Sequence, residues 1–165
     1  MRARAKVVRT ALPDPAPMLD QFDRHFRRLL HRASAHADRV IVVRQPWFGG
    51  AYSPEQAAHM WHGGVGQAWR SDVTTFYSFD VVSALMSLID ARAASIADAL
   101  SIEQVDLMPV LDGNLVNYYD CFHATPAGAN VVATSVAATV VAPAEPVVAA
   151  PSADLYPSCV ASRAS

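Results

Sequence analysis

Lysine is nearly absent from this sequence, and its positive charge is carried almost entirely by arginine. Lys6 is the only lysine, and most of the arginines fall in the N-terminal quarter of the chain. Acidic residues are spread through the same stretch, so the formal net charge is only −2. A nucleic-acid interface needs a basic patch. The charge pattern therefore argues against nucleic acid as a partner and indicates a solvated helix face.

Cysteine is also scarce, and long apolar runs are missing. Cys121 and Cys159 are too far apart for a metal-type motif, and they do not by themselves imply a disulfide. The Val/Ala-rich stretch 131–142 is too short to span a membrane and contains Thr and Ser. The basic N-terminus has no apolar segment after it, as a signal peptide would. We expect no membrane span and, for the chain as given, a cytoplasmic location; a start further upstream would allow secretion.

Helical periodicity is the clearest positive signal in a chain of 165 residues, which suits one domain. Asp14 and Pro15 precede an apolar stripe at Met18, Phe22, Phe26, Leu29 and Leu30. Ser53 and Gln56 have capping-box spacing around a short helix. Longer helices are predicted from Ser78 to about Leu100 and from Pro126 to about Val141, the latter capped by Thr125.

Two short runs predict strands. Residues 40–43 form a continuous β-branched and apolar run, which suits a strand covered on both faces. The run "VDLMPVL" at 105–111 is the second predicted strand. Helices alternating with buried strands favour an α/β fold with a parallel sheet. Because two strands are too few for a stable sheet, we expect them to pair with further chain.

The segment "YYDCFHATPAGA" at 118–129 holds the main candidate site. A carboxylate at Asp120 can reach Nδ1 of His123 across a tight turn, leaving Nε2 free to act as a base. Asp120 favours the charged imidazole, whereas the N-terminus of the following helix disfavours it. The alternatives are a metal site and a helix entry that happens to carry two polar residues.

This block resembles the last conserved block of the SGNH/GDSL hydrolases, in which a D-x-x-H pair supplies the acid and base of a Ser-His-Asp triad. The "VIVVRQPW" run and the helix and strand after it are also similar to the late part of that fold. The resemblance covers roughly residues 7–141. It implies that Asp120 orients His123, that His123 is the base, and that no metal or organic cofactor is needed. The implied substrate is a small ester or acetylated molecule.

The sequence departs from that family in lacking the nucleophile. It has no Gly-Asp-Ser-like block, no Asn-Asp pair, and no serine within two residues of a glycine. A triad without a nucleophile cannot transfer an acyl group. The resemblance therefore implies the C-terminal portion of a three-layer α/β/α, flavodoxin-like parallel sheet at 1–141, inactive alone. The Ala/Pro-rich residues 142–165 are predicted to form a disordered tail.

The long loop after the first predicted strand is the second candidate site. Trp47, Phe48 and Tyr52 could line an acyl or sugar pocket, because such loops follow the carboxyl ends of strands where α/β proteins bind ligands. Local packing of a long loop explains the same three aromatic residues.

Metal binding and a cysteine nucleophile are weaker hypotheses. His59 and His62, with Glu55 one turn earlier or with His123, could bind a metal, but H-x-x-H without a defined third ligand has low specificity. Cys121 has no separate partner base, so it is interpreted as a packing residue. A different class of function, a non-catalytic binding or assembly module that self-associates through an exposed sheet edge, also fits the chain.

Overall fold

The computed structural model describes residues 2–66, 73–111 and 113–143. In this part of the chain, helices and short strands follow one another as a mixed α/β fold. The helices are α1 Ala16–Ser34, α2 Pro54–His59, α3 Phe79–Ala99, α4 Met108–Leu111 and α5 Pro126–Val141. The strands are β1 Val7–Arg9, β2 Ile41–Val43, β3 Thr75–Tyr77 and β4 Glu103–Val105.

The helix boundaries follow the capping residues of the sequence. Ser53 and Gln56 form the predicted capping box of α2, in which each side chain bonds the other residue's backbone amide. Ser78 and Thr125 accept hydrogen bonds from backbone amides in the first turns of α3 and α5. These contacts satisfy amides that a helix N-terminus otherwise leaves unpaired. The sequence therefore predicted the N-termini of these three helices correctly.

The apolar stripe of α1 is only partly as predicted. Leu30 is buried and Phe22 stacks on Phe26 with 5.1 Å between ring centroids, but Leu29 is 60% exposed and Leu19 is buried instead. The helix packs mainly against α3. The side of α1 that faces α3 and strand β2 is buried, and Leu29 lies away from it.

The strands depart most from the prediction. The run 105–111 is not a strand: β4 ends at Val105, and α4 begins at Met108. The Asp106 carboxylate accepts a hydrogen bond from the Met108 amide at 3.0 Å, which starts a helical turn where the apolar pattern alone favoured a strand. Strand β2 is present, but Val43 is 44% exposed, so it is not covered throughout.

The described strands form two parallel pairs rather than one sheet. Strand β1 pairs with β3, and β2 pairs with β4. The β2–β4 pair has apolar clusters on both faces, because successive side chains of a strand point to opposite sides. One cluster contains Val105 with Ile41 packed against it, and the other contains Val42.

Parallel pairing of β2 with β4 determines where the candidate site lies. The chain leaves both strands at the same end, so the loop after β2 and the loops after β4 lie side by side. The Phe48 amide donates to the Cys121 carbonyl oxygen at 2.6 Å and joins the two loops. None of the helices in the described ranges is long and apolar enough to cross a membrane. Of the predicted tail at 142–165, residues 144–165 lie outside the part of the chain that the structure describes.

Candidate active site

The side chain of Asp120 stabilises a tight turn formed by the residues that follow it. Its Oδ1 accepts hydrogen bonds from the backbone amides of Phe122 and His123, both at 3.0 Å. Aspartate favours such turns because its short side chain reaches the amides two and three residues ahead. The turn brings the side chain of His123 back over the carboxylate.

The imidazole of His123 meets the other carboxylate oxygen. Nδ1 of His123 lies 2.8 Å from Oδ2 of Asp120, the contact expected from the sequence. A carboxylate can only accept, so this bond requires the proton on Nδ1 and leaves the Nε2 lone pair available in the neutral ring. The side chain of His123 is 59% exposed, whereas that of Asp120 is 13% exposed. The imidazole therefore faces outward, and the carboxylate lies behind it.

Trp61 completes the surroundings of Asp120. Its indole Nε1 donates to Oδ2 at 3.0 Å, so the carboxylate accepts bonds from Trp61, Phe122 and His123. Partial burial would raise the pKa of Asp120, but the bonds from the His123 ring, the two amides and Trp61 outweigh burial and lower it to about 2. Asp120 is therefore ionised at neutral pH. The Trp61 ring centroid also lies 6.3 Å from that of His123.

The rest of the motif anchors this turn to the fold. The Tyr119 amide donates to the His123 carbonyl oxygen at 2.8 Å, and the Thr125 hydroxyl donates to the Val116 carbonyl oxygen at 2.7 Å. Tyr118 is buried against Phe48, whereas Tyr119 is 67% exposed. Of the two adjacent tyrosines, Tyr118 therefore packs inward and Tyr119 faces outward.

The three aromatic residues of the loop after β2 lie together around one cavity. Trp47 and Phe48 are each only 6% exposed, and Tyr52 packs on Phe48 with 4.8 Å between ring centroids. The cavity has a volume of about 90 Å³ and is also lined by His62, Phe79 and Cys121, among others. Neither Asp120 nor His123, called the dyad below, lines the cavity. Cys121 does line it, so the dyad and the cavity are neighbours through this residue.

The two histidines proposed to bind a metal do not face one site. Helix α2 ends at His59, so the helical spacing that would align His59 with His62 is broken. His59 is exposed and bonds the Glu55 carbonyl oxygen through Nδ1 at 2.8 Å, whereas His62 is buried. Within the described ranges, no group of three or more His, Cys, Asp or Glu side chains could hold a metal ion. The metal hypothesis therefore has no geometric support here.

Cys121 is a buried packing residue, as interpreted from the sequence. Its side chain is 3% exposed and unoxidised. Burial, followed by the negative charge of Asp120, raises the pKa of the Cys121 thiol to about 11. The thiol is therefore protonated at neutral pH, and only a thiolate is an effective nucleophile. Cys159 lies outside the described residues.

The sequence did not indicate that Trp61 bonds Asp120 or that His62 lines the cavity. Trp61 meets Asp120 across 59 positions of sequence, and no local pattern encodes that contact. The one available signal was the residue type, because a tryptophan that is packed against the protein usually donates its indole N–H to an acceptor.

No family model matches this chain, and no curated protein and no solved structure shows significant similarity to it.

Proposed function

We propose that the chain carries the acid/base part of an SGNH/GDSL-like ester hydrolase, with Asp120 orienting His123 and His123 acting as the general base. The observation that carries this proposal is the 2.8 Å contact between Nδ1 of His123 and Oδ2 of Asp120, with the imidazole otherwise exposed. This contact fixes the tautomer in which Nε2 can accept a proton.

In the proposed reaction, Nε2 of His123 takes the proton of a hydroxyl group as its oxygen attacks the ester carbonyl carbon. The imidazolium that forms is stabilised by the ionised Asp120 carboxylate and then returns the proton to the leaving alkoxide. Asp120 is suited to this role because four hydrogen bonds hold it in place and keep it charged. Trp47, Phe48 and Tyr52 are proposed to hold the acyl part of the small ester in the neighbouring cavity.

The fold supports the proposal at the level of architecture. Apolar clusters cover both faces of the β2–β4 pair, with residues of α1 and α3 on one side and of α5 on the other. We propose that this pair belongs to a three-layer α/β/α, flavodoxin-like sheet with further parallel strands. Loops at the carboxyl ends of strands carry the sites of such folds, and both candidate loops lie there.

The proposal requires a nucleophile and oxyanion-hole donors that lie outside this sequence. The sequence contains neither a Gly-Asp-Ser block nor a Gly-x-Asn-Asp block. The coding DNA upstream of Met1 is therefore expected to continue in frame and to encode both. An in-frame stop codon with neither block before it would contradict the proposal.

Activity labelling then tests the roles of the residues. A fluorophosphonate probe is expected to label the serine of the extended protein and no serine of the 165-residue chain. Replacing His123 by Gln should abolish labelling of the extended protein, whereas replacing the exposed His25 by Gln should not. Labelling that persists without His123, or any labelled serine in the chain alone, would be evidence against the assigned roles.

A second candidate function, a non-catalytic assembly module, is favoured by the exposed strands. Val7, Val8 and Val43 are 51%, 50% and 44% exposed, although each lies in a strand. Exposed strand edges with apolar side chains pair readily with another chain. Light scattering during size-exclusion chromatography would then show an assembly that Val43→Lys disrupts and that Val140→Lys, on the exposed face of α5, leaves intact. A monomer that persists at all concentrations would count against this candidate.

A further inference from the structure

Two buried polar atoms next to the dyad have no hydrogen-bond partner among the described residues. They are the hydroxyl oxygen of Tyr52 and Nδ1 of His62. Both residues line the cavity after β2, and their ring centroids are 5.7 Å apart. A buried polar group without a partner is unfavourable, and most such groups in native proteins bind another group or an ordered molecule. These two atoms therefore indicate that the cavity has a polar occupant.

His62 is held rigidly in this position. It is 5% exposed, and its backbone carbonyl oxygen accepts a bond from Nη1 of Arg2 at 3.3 Å. The next residue, Gly63, has a φ of +77°, which side-chain-bearing residues rarely adopt, and its carbonyl oxygen accepts a bond from the Tyr77 amide at 2.8 Å. The recognising atom is thus pre-organised rather than placed on a free loop.

The walls of the cavity combine aromatic and aliphatic side chains with polar groups, and its volume sets the size of the occupant. Trp47, Phe48, Phe79 and Val82 contribute to the lining, and Tyr52 packs on Phe79 with 4.7 Å between ring centroids. A volume of about 90 Å³ exceeds what one water molecule requires. It suits a group of roughly four or five non-hydrogen atoms with a small apolar part.

Charges of both signs surround the cavity, so an ion of either sign meets a like charge: a cation meets Arg2, and an anion meets Asp80. The Arg2 guanidinium carbon lies 3.9 Å from the centroid of the Phe79 ring, which places a positive charge behind one wall. Asp80 lines the cavity and would repel an anion, while Asp120 lies beyond Cys121. Burial, and then the charge of Arg2, lower the pKa of His62 to about 4, although Asp120 opposes this, so His62 is neutral at pH 7.

We propose that this cavity binds a small uncharged group that carries an amide or a hydroxyl, through hydrogen bonds to the Tyr52 hydroxyl and to Nδ1 of His62. The Tyr52 hydroxyl donates to the ligand oxygen, and Nδ1 of His62 pairs with the ligand's N–H or O–H. The inference rests on the proposed function only in naming this group as the acyl part of the substrate. The ligand is therefore a polar acyl group rather than a plain hydrocarbon chain.

Three planar ligands of the same shape test the proposal: acetamide, acetate and acetamidinium. Each is titrated into the full chain, and the ring resonances of His62 are followed by NMR. Acetamide is expected to shift these resonances saturably, with an affinity at least about fivefold above that of either ion. Comparable binding of an ion would overturn the preference for an uncharged group, and no saturable shift with acetamide would overturn the proposal as a whole.

A matched pair of tyrosine variants tests the recognising atoms. Tyr52→Phe removes one hydroxyl from the cavity and is expected to weaken acetamide binding by about fivefold. Tyr119→Phe removes a hydroxyl from an exposed tyrosine outside the cavity and should leave the affinity unchanged. Equal affinities in the two variants would overturn the role of Tyr52. None of these measurements requires hydrolysis. Failure of the catalytic proposal would therefore leave the binding result unaffected, and failure of acetamide to bind would leave the catalytic proposal unaffected.

Discussion

At the scale of single residues, the Asp120 carboxylate organises the site. Each of its oxygens accepts two hydrogen bonds. Oδ1 accepts from two backbone amides, and Oδ2 accepts from an indole and an imidazole. Hydrogen bonds to an ionised acceptor are stronger than those between neutral groups. The carboxylate therefore holds the turn closed and orients His123.

Replacing Trp61 by Phe tests how much the indole contributes. The variant loses one donor to Oδ2 and keeps an aromatic ring, so the pKa of Asp120 should rise from about 2 toward its ordinary 3.8. The free energy of unfolding at neutral pH should fall by about 1 kcal/mol. Carboxyl-carbon NMR titration and urea unfolding measure the two effects. Tyr119→Phe is the control, and an unchanged pKa of Asp120 in Trp61→Phe would contradict the assigned bond.

The buried His62 makes a prediction about pH. Burial, and then the charge of Arg2, lower the pKa of His62 from its ordinary 6.5 to about 4 in the folded chain. Between these values the unfolded state holds more protons, so stability falls as the pH is lowered through this window and levels off below it. The loss attributable to His62 is about 2 kcal/mol after allowance for solvent screening.

Urea unfolding at pH 6.5 and pH 4 measures this dependence. Replacing His62 by Phe should make the difference between the two pH values smaller, whereas replacing the exposed His25 by Gln should not. An identical difference in the His62 variant would show that other groups cause the acid sensitivity.

At the scale of elements, α5 is fixed at both ends by contacts that are distant in sequence. Its first turn packs on the Leu115–Asn117 turn, where a Cβ added to Gly128 would collide with the Asn117 carbonyl oxygen. Its last turn is held by Arg39, whose guanidinium donates to the carbonyl oxygens of Thr139, Val140 and Ala142 and also to Glu103. Helix α5 thereby connects the motif to strand β4.

Gly128→Ala should be destabilising, against the usual helix propensity. In an open helix this change stabilises by up to about 1 kcal/mol. Here the added methyl group meets backbone rather than a movable side chain, so we expect a loss of about 1 to 3 kcal/mol. Thermal or urea unfolding measures it, with Asn130→Ala on the exposed face of α5 as the control. A gain in stability for Gly128→Ala would contradict the close approach to Asn117.

Arg39→Ala should loosen the end of α5. The variant removes a paired Glu103 contact and three helix-terminal contacts together, and Arg39→Lys should recover only part because lysine lacks the planar fork. Amide hydrogen exchange in the last turn of α5 should become faster in both variants, and fastest in Arg39→Ala. Arg28→Ala, at an exposed position of α1, is the control, and equal exchange rates in all variants would rule out a role of Arg39 in holding α5.

The sequence predicted those elements that local chemistry determines. Ser53, Ser78 and Thr125 begin helices because their side chains accept hydrogen bonds from amides three residues ahead. The same reach makes the Asp120–His123 contact predictable. The strands were harder because each has only three residues and depends on a partner far along the chain. Strands β1 and β3 were missed, and β4 was placed too late because the effect of Asp106 was not recognised.

At the scale of the whole molecule, the site depends on parallel pairing. Strands β2 and β4 are separated by a long stretch that includes α3, and only their register brings the aromatic loop beside the Asp120–His123 turn. That arrangement could be expected from an α/β pattern. The division into two strand pairs, the Trp61 contact and the cavity could not, because each depends on tertiary packing between distant segments.

The central claim is that Asp120 holds His123 in the tautomer that leaves Nε2 reactive, and it can be tested on the 165-residue chain itself. The measurement is the rate at which p-nitrophenyl acetate acetylates each histidine, resolved by mass spectrometry. His123 is predicted to react faster than the exposed His25, His31 and His36, and Asp120→Asn is predicted to slow His123 alone, because an amide can accept or donate and no longer fixes the tautomer. A His123 no more reactive than the surface histidines, or one unaffected by Asp120→Asn, would contradict the account.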